Sequence, residues 1–128
     1  MYPPANTELF ESPLATFWFE DGIMYSYGKG VERTIENLTE NFALVRKITN
    51  NEKACCLSFL NTSGTYQDKA AREFLEQELA STCKAIAFVS DTPVGKMNGN
   101  ILVLVGHELP KKFFTSLEEA LEWLKGFR

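Results

Sequence analysis

The chain has 128 residues, 45% hydrophobic and 23% charged, with 10 Phe, 2 Trp and 4 Tyr. That length fits one domain, and that composition excludes a disordered, collagenous or low-complexity chain. Thirteen basic against 17 acidic side chains leave a formal charge of −4, so no electrostatic footprint for a nucleic-acid backbone or an anionic leaflet is present.

Residues 1–13 form an N-terminal arm ahead of a domain expected over 14–128. Met1 to Asn6 has no basic or apolar stretch of the secretory kind, and Glu8 and Glu11 follow soon after. No signal peptide is expected. The longest apolar run, Ile101 to Val105, is too short to cross a bilayer, so a cytoplasmic protein without a membrane span is expected.

Residues 14–20 are rich in aromatics and are followed by Asp21-Gly22 and then Ile23 to Tyr27. An Asp-Gly pair between two such runs predicts a hairpin, because both central residues of a type I′ turn need positive φ. From Thr34, the residues Ile35, Leu38, Phe42, Val45 and Ile48 recur at spacings of three and four, one apolar stripe of a helix. Asn50-Asn51-Glu52 turns the chain into Ala54–Leu60, a nearly continuous apolar run that suits a strand covered on both faces. Ala71, Phe74, Leu75 and Leu79 return to helical spacing, in a helix expected to begin near Tyr66 or Asp68. Thr65 is its expected N-cap, with Asp68 completing a capping box.

Ala85–Val89 reads as a short interior strand. Thr92-Pro93 starts a third helix that Val94, Met97, Ile101 and Leu104 continue, although Gly95 and Gly99 leave 101–105 open to a strand reading. Lys111–Thr115 is an edge strand. Ser116-Leu117-Glu118-Glu119 is the capping box of a last helix whose stripe is Leu117, Ala120, Leu121, Leu124 and Phe127. The order is β-β-α-β-α-β-α-β-α. It predicts an α/β domain with a mixed sheet, antiparallel in its opening hairpin and parallel through right-handed crossovers thereafter.

That order, together with Lys112 to Leu124 and its Glu119-Ala120-Leu121-Glu122-Trp123-Leu124 run, resembles the STAS-like superfamily. More narrowly, it resembles bacterial SpoIIAA-like and small CRAL-TRIO-like domains, many of unknown function. Ala71-Arg72, the 85–89 strand running into Ser90, and Gly99-Asn100 add to the likeness. The resemblance covers residues 14–127 and implies a single STAS-like (SpoIIAA-like) domain. In regulatory members a Ser or Thr in an Asp-Ser-Ser-Gly setting at the second helix accepts phosphate. The matching loop here is Asn61, Thr62, Ser63, Gly64 and Thr65, with Asn61 in place of the Asp.

Other chemistry finds less support in the sequence. The odd count of Cys55, Cys56 and Cys83 points to reduced thiols rather than a disulfide framework. Adjacent Cys55 and Cys56 face opposite sides of a strand and do not chelate one metal together. A Cys56–His107 dyad has only the chain's single histidine behind it. Gly95-Lys96 and Gly28-Lys29-Gly30 lack the spacing of phosphate or dinucleotide loops. No cofactor, metal or catalytic constellation is expected.

Phe17, Trp18 and Phe19 are consecutive, so the first strand carries aromatics on both faces. Two alternatives stand: an exposed interface of Phe17, Trp18, Phe19 and Tyr25, or burial beneath the arm around Leu9 and Phe10. The first functional expectation is a non-enzymatic regulatory module that binds a protein partner or a second copy of itself. The alternative is a carrier or sensor of an apolar, lipid-like ligand, with Phe74, Met97, Phe113 and Phe114 lining the pocket.

Overall fold

The structure, a computed structural model, describes residues 4–60, 67–90 and 109–128. Asp21 and Gly22 stand at φ of 54° and 78°, the left-handed pair that a two-residue hairpin turn demands. They join β2 (Ala15–Glu20) to β3 (Ile23–Gly28), with Glu20 opposite Ile23. Part of the arm also enters the sheet. Phe10–Glu11 forms a two-residue strand, β1, antiparallel to β2.

Helix α1 (Ile35–Ile48) begins where Thr34 Oγ1 accepts a hydrogen bond from the Asn37 N–H at 3.0 Å. Its buried stripe is Leu38, Phe42 and Val45, with Asn41 among them. Asn50 and Asn51, both at positive φ, turn the chain into β4 (Ala54–Phe59), parallel to β3. Asparagine tolerates this conformation better than most residues.

Helix α2 (Lys69–Thr82) corrects one expectation. Its N-cap is Asp68, whose Oδ1 accepts from the Ala71 N–H at 2.9 Å, rather than Thr65. A carboxylate at this position satisfies an orphan N–H and complements the helix dipole, so the helix needs no earlier cap. The chain passes from α2 into β5 (Cys83–Val89) with no intervening residue, and β5 therefore starts two residues before the expected Ala85. Strand β6 (Lys111–Phe114) pairs parallel to β5. In α3 (Leu117–Leu124), Ser116 Oγ accepts from the Glu119 N–H at 3.4 Å, and a 3₁₀ turn over Lys125–Phe127 follows. The helix expected from Thr92 through Leu104 lies outside the described residues.

Among the described residues the six strands lie in chain order, β1-β2-β3-β4-β5-β6, antiparallel up to β3 and parallel from there, as the sequence predicts. Both sheet faces are covered. Phe17, Met24, Cys56, Ile86 and Phe88 pack with Leu38, Phe42 and Val45 of α1 and Ala71 of α2. On the opposite face Trp18, Tyr25, Leu57, Ala87 and Phe114 pack with Ala120 and Leu124 of α3. The two helices on the first face are tied by an ion pair between Arg46 and Glu78. No helix among the described residues is long and apolar enough to cross a membrane.

Candidate functional site

Strand register places five residues in one row on the face beneath α1 and α2. Phe17 is opposite Ser26, Ser26 beside Ser58, Ser58 beside Phe88, and Phe88 beside Phe113. Neighbouring strands are about 4.8 Å apart, so two short side chains at the centre of a row flanked by phenylalanines leave a depression in the sheet. Ala15 and Gly28, paired across β2 and β3, extend the low ground.

The helices do not fill it. A cavity of about 110 Å³ lies between sheet and helices, walled by Phe17 and Phe88 and roofed by Leu38, Phe42, Leu75 and Leu79. Its volume approaches the ~150 Å³ of apolar cavities that hold a benzene molecule. Ser26 and Ser58 lie on its floor. Among the described residues neither hydroxyl has a hydrogen-bond partner, and both residues are half-buried. Each hydroxyl is thus able to pair with a polar group that enters the cavity. Asn41, also on the cavity wall, is engaged through its Oδ1, which accepts from Ser12 Oγ at 2.6 Å.

Cys56 and Cys83 close one end of the same cavity, their sulfurs 3.0 Å apart and both buried. The two sulfurs share a hydrogen bond in which either thiol can be the donor. This contact holds the Cys83 thiol below its ordinary value and, together with burial, pushes Cys56 well up. Cys55 faces the opposite side of the sheet, and burial raises it too.

The structure locates the expected site residues unevenly. The open aromatic face is corrected: Phe17 is 3% exposed, Trp18 0% and Tyr25 4%, with Phe19 half-buried. The physical reason is that α1 and α2 cover the Phe17 side, whereas Trp18 stacks with Tyr25 and Phe59 within the opposite core. The expected pocket is corrected as well. Phe113 belongs to the α1–α2 side and Phe114 to the α3 side, as consecutive strand residues must, so the two cannot line one pocket. Phe74 packs on the first side, away from the cavity lining, and Met97 lies outside the described residues. So do Asn61, Thr62, Ser63, Gly64, Thr65 and His107. Sequence reasoning missed Ser26, Ser58 and the Cys56–Cys83 contact. The one available signal was the polar residue at alternate positions in each strand, Met24-Tyr25-Ser26 and Cys56-Leu57-Ser58.

Among the described residues no cluster of His, Cys, Asp or Glu is arranged to hold a metal ion. No curated protein matches the sequence. A solved structure of an uncharacterised protein of the DUF3478 family from Shewanella loihica PV-4, described as having a SpoIIAA-like fold, superposes with a TM-score of 0.56. It is 14% identical, and the match covers 92% of this chain and 91% of that one. The likeness establishes the fold: this is a single α/β domain of SpoIIAA-like, STAS-like architecture. The model of a family described as a domain of unknown function, DUF7793, matches residues 17–128, and the chain belongs to that family.

Proposed function

We propose that this domain is a non-enzymatic regulatory module that senses a small, mostly apolar molecule bearing one polar end, held between the sheet and the α1–α2 layer. The observation that carries this reading is the pair of Ser26 and Ser58 hydroxyls on the floor of a mainly apolar cavity, whose other polar lining residues are Arg33, Asn41 and Thr82. Binding sites of this kind combine apolar walls with a few placed polar groups that fix orientation. Location supports it too. Ser58 and Phe88 lie toward the carboxyl ends of parallel strands β4 and β5, the end at which open α/β sheets generally receive ligands. A second, broader groove of about 580 Å³, bordered by Asp21, Lys53, Lys84 and Arg128, lies at the opposite ends of these strands. It is shallow and mixed in charge, and suits a small apolar molecule poorly.

A ligand that fills the cavity touches both helices and the sheet at once. Occupancy would thus stiffen the α1–α2 layer, a change that a partner protein reading the helix surface would register. Two probes test the site: benzene and phenol, titrated while the amide resonances of Ser26 and Ser58 are followed by NMR. Phenol is expected to bind more tightly than benzene, and a Ser26→Ala/Ser58→Ala double variant to remove that preference. Equal shifts at residues all over the surface, with none at the cavity, would overturn the reading.

A further inference from the structure

We propose that Cys56 and Cys83 are a redox pair that closes to a reversible disulfide when the protein meets a hydroperoxide. The argument is geometric and independent of what the cavity binds. The two residues are 27 apart in sequence, yet register brings their side chains to the same sheet face, with the sulfurs 3.0 Å apart. A disulfide needs about 2.05 Å, so closure requires a shift of only about 1 Å, shared between two side chains. Cys83 sits at the joint where α2 becomes β5, and β4 and β5 slip register beside it, between Ala54 and Cys55. The slip leaves Lys84 unpaired and the ladder locally disrupted beside Cys83, while the pairing from Cys55–Ala85 onward is regular.

Access and reactivity agree with the geometry. Both residues line the cavity, whose volume of about 110 Å³ is large enough to hold a hydrogen peroxide molecule. The contact with Cys56 favours the thiolate of Cys83, as do the Thr82 hydroxyl and the charge of Lys53, against the opposing effect of burial. The thiolate is the nucleophile in such chemistry.

The step balances as follows. The Cys83 thiolate attacks one oxygen of the peroxide, the O–O bond breaks, hydroxide leaves, and Cys83 becomes a sulfenic acid. The Cys56 sulfur then attacks the Cys83 sulfur and forms the S–S bond. The sulfenic oxygen leaves as a second hydroxide. The two thiol protons neutralise the hydroxides, so two thiols and one hydrogen peroxide yield one disulfide and two waters. The sulfurs are oxidised by two electrons and the peroxide oxygens are reduced by the same two. Cys55, on the other face, has no part in it.

The test treats the full chain with hydrogen peroxide, then denatures it in an alkylating reagent and maps the peptides without reductant. The expected result is a loss of about 2 Da per chain, a fall from three alkylated cysteines to one, and a linked Cys56–Cys83 peptide. Dithiothreitol should restore all three, and Cys55→Ser should leave the crosslink intact. Because Cys83 is buried and Cys83→Ala alters its packing, the wild-type peptide map itself decides the question. Three alkylated thiols after peroxide, a link through Cys55, or accumulation of sulfinic acid at Cys83 without a crosslink would each overturn the proposal.

Discussion

Trp18 and Tyr25 are paired across the hairpin with their rings stacked, centroids 5.4 Å apart and planes 7° from parallel. Phe59 of the neighbouring strand continues the stack at 6.2 Å from Trp18. Large rings in this arrangement contribute both burial and quadrupole complementarity. Replacing Trp18 with Ala should therefore cost about 3–5 kcal/mol, read by urea unfolding. A loss below about 1 kcal/mol would return this face to the role of a surface.

Filling the depression in the sheet should separate binding from stability. Ser58→Val places two methyl groups where a hydroxyl lacks a partner, and is expected to stabilise the fold by about 0.5–2 kcal/mol, as cavity filling commonly does. The same substitution should abolish the NMR response to phenol. Retained phenol binding in a stabilised Ser58→Val variant would move the ligand elsewhere.

The cap of α2 offers a test of the local structure. Asp68 Oδ1 satisfies the Ala71 N–H, so Asp68→Ala should cost about 1 kcal/mol and Asp68→Ser much less, measured by thermal unfolding.

Glu11 accepts hydrogen bonds from Lys29, at 2.9 Å, and from Thr16, and these hold its carboxyl below the ordinary range against a small effect of burial. A folded-state value below the unfolded one means that the contribution to stability is present above the unfolded value and fades as pH falls through the folded one. The pair is largely exposed, so its worth stays within about 1 kcal/mol. Lys29→Met should return Glu11 toward the ordinary range in an NMR titration of its carboxyl carbon. An unchanged midpoint would assign the effect to Thr16.

The pH profile of peroxide consumption carries the signature of Cys83. The rate should rise with pH as the thiolate forms and level off above a midpoint lower than that of an ordinary thiol, because of its hydrogen bond with Cys56. Cys56→Ala removes the donor and should move the midpoint up, whereas Cys56→Ser keeps a donor and should hold it down. Coincident midpoints for Ala and Ser would show that Thr82 and Lys53 set the value.

Much of the scaffold is legible in the residues. Asp21-Gly22 announces its turn, Thr34 and Ser116 announce their helices, and the apolar spacing of Leu38, Phe42 and Val45 marks the buried face. These signals are local, each contained within one or two turns of chain. The α2–β5 joint was harder, because Ser81-Thr82-Cys83 has no glycine or proline to punctuate it. The cavity was not readable at all. Ser26 and Ser58 are 32 positions apart, and only the parallel register of β3 and β4 sets them side by side. Likewise, alternation shows that Trp18 and Phe17 point in opposite directions, but not what packs over either.

Because sheet order repeats chain order, a cut between any two strands divides the sheet into two contiguous slabs instead of two interleaved combs. Residues 49–53 suit such a cut, with Asn50, Asn51 and Glu52 exposed on a bend. One fragment would carry the hairpin and α1, the other the parallel strands from β4 onward, each gaining one new open strand edge complementary to the other's. The architecture is thus suited to being split and rejoined along the β3–β4 seam, the line on which Ser26 and Ser58 meet. Reassembly of the halves would rebuild the floor of the cavity at the moment the two edges zip together.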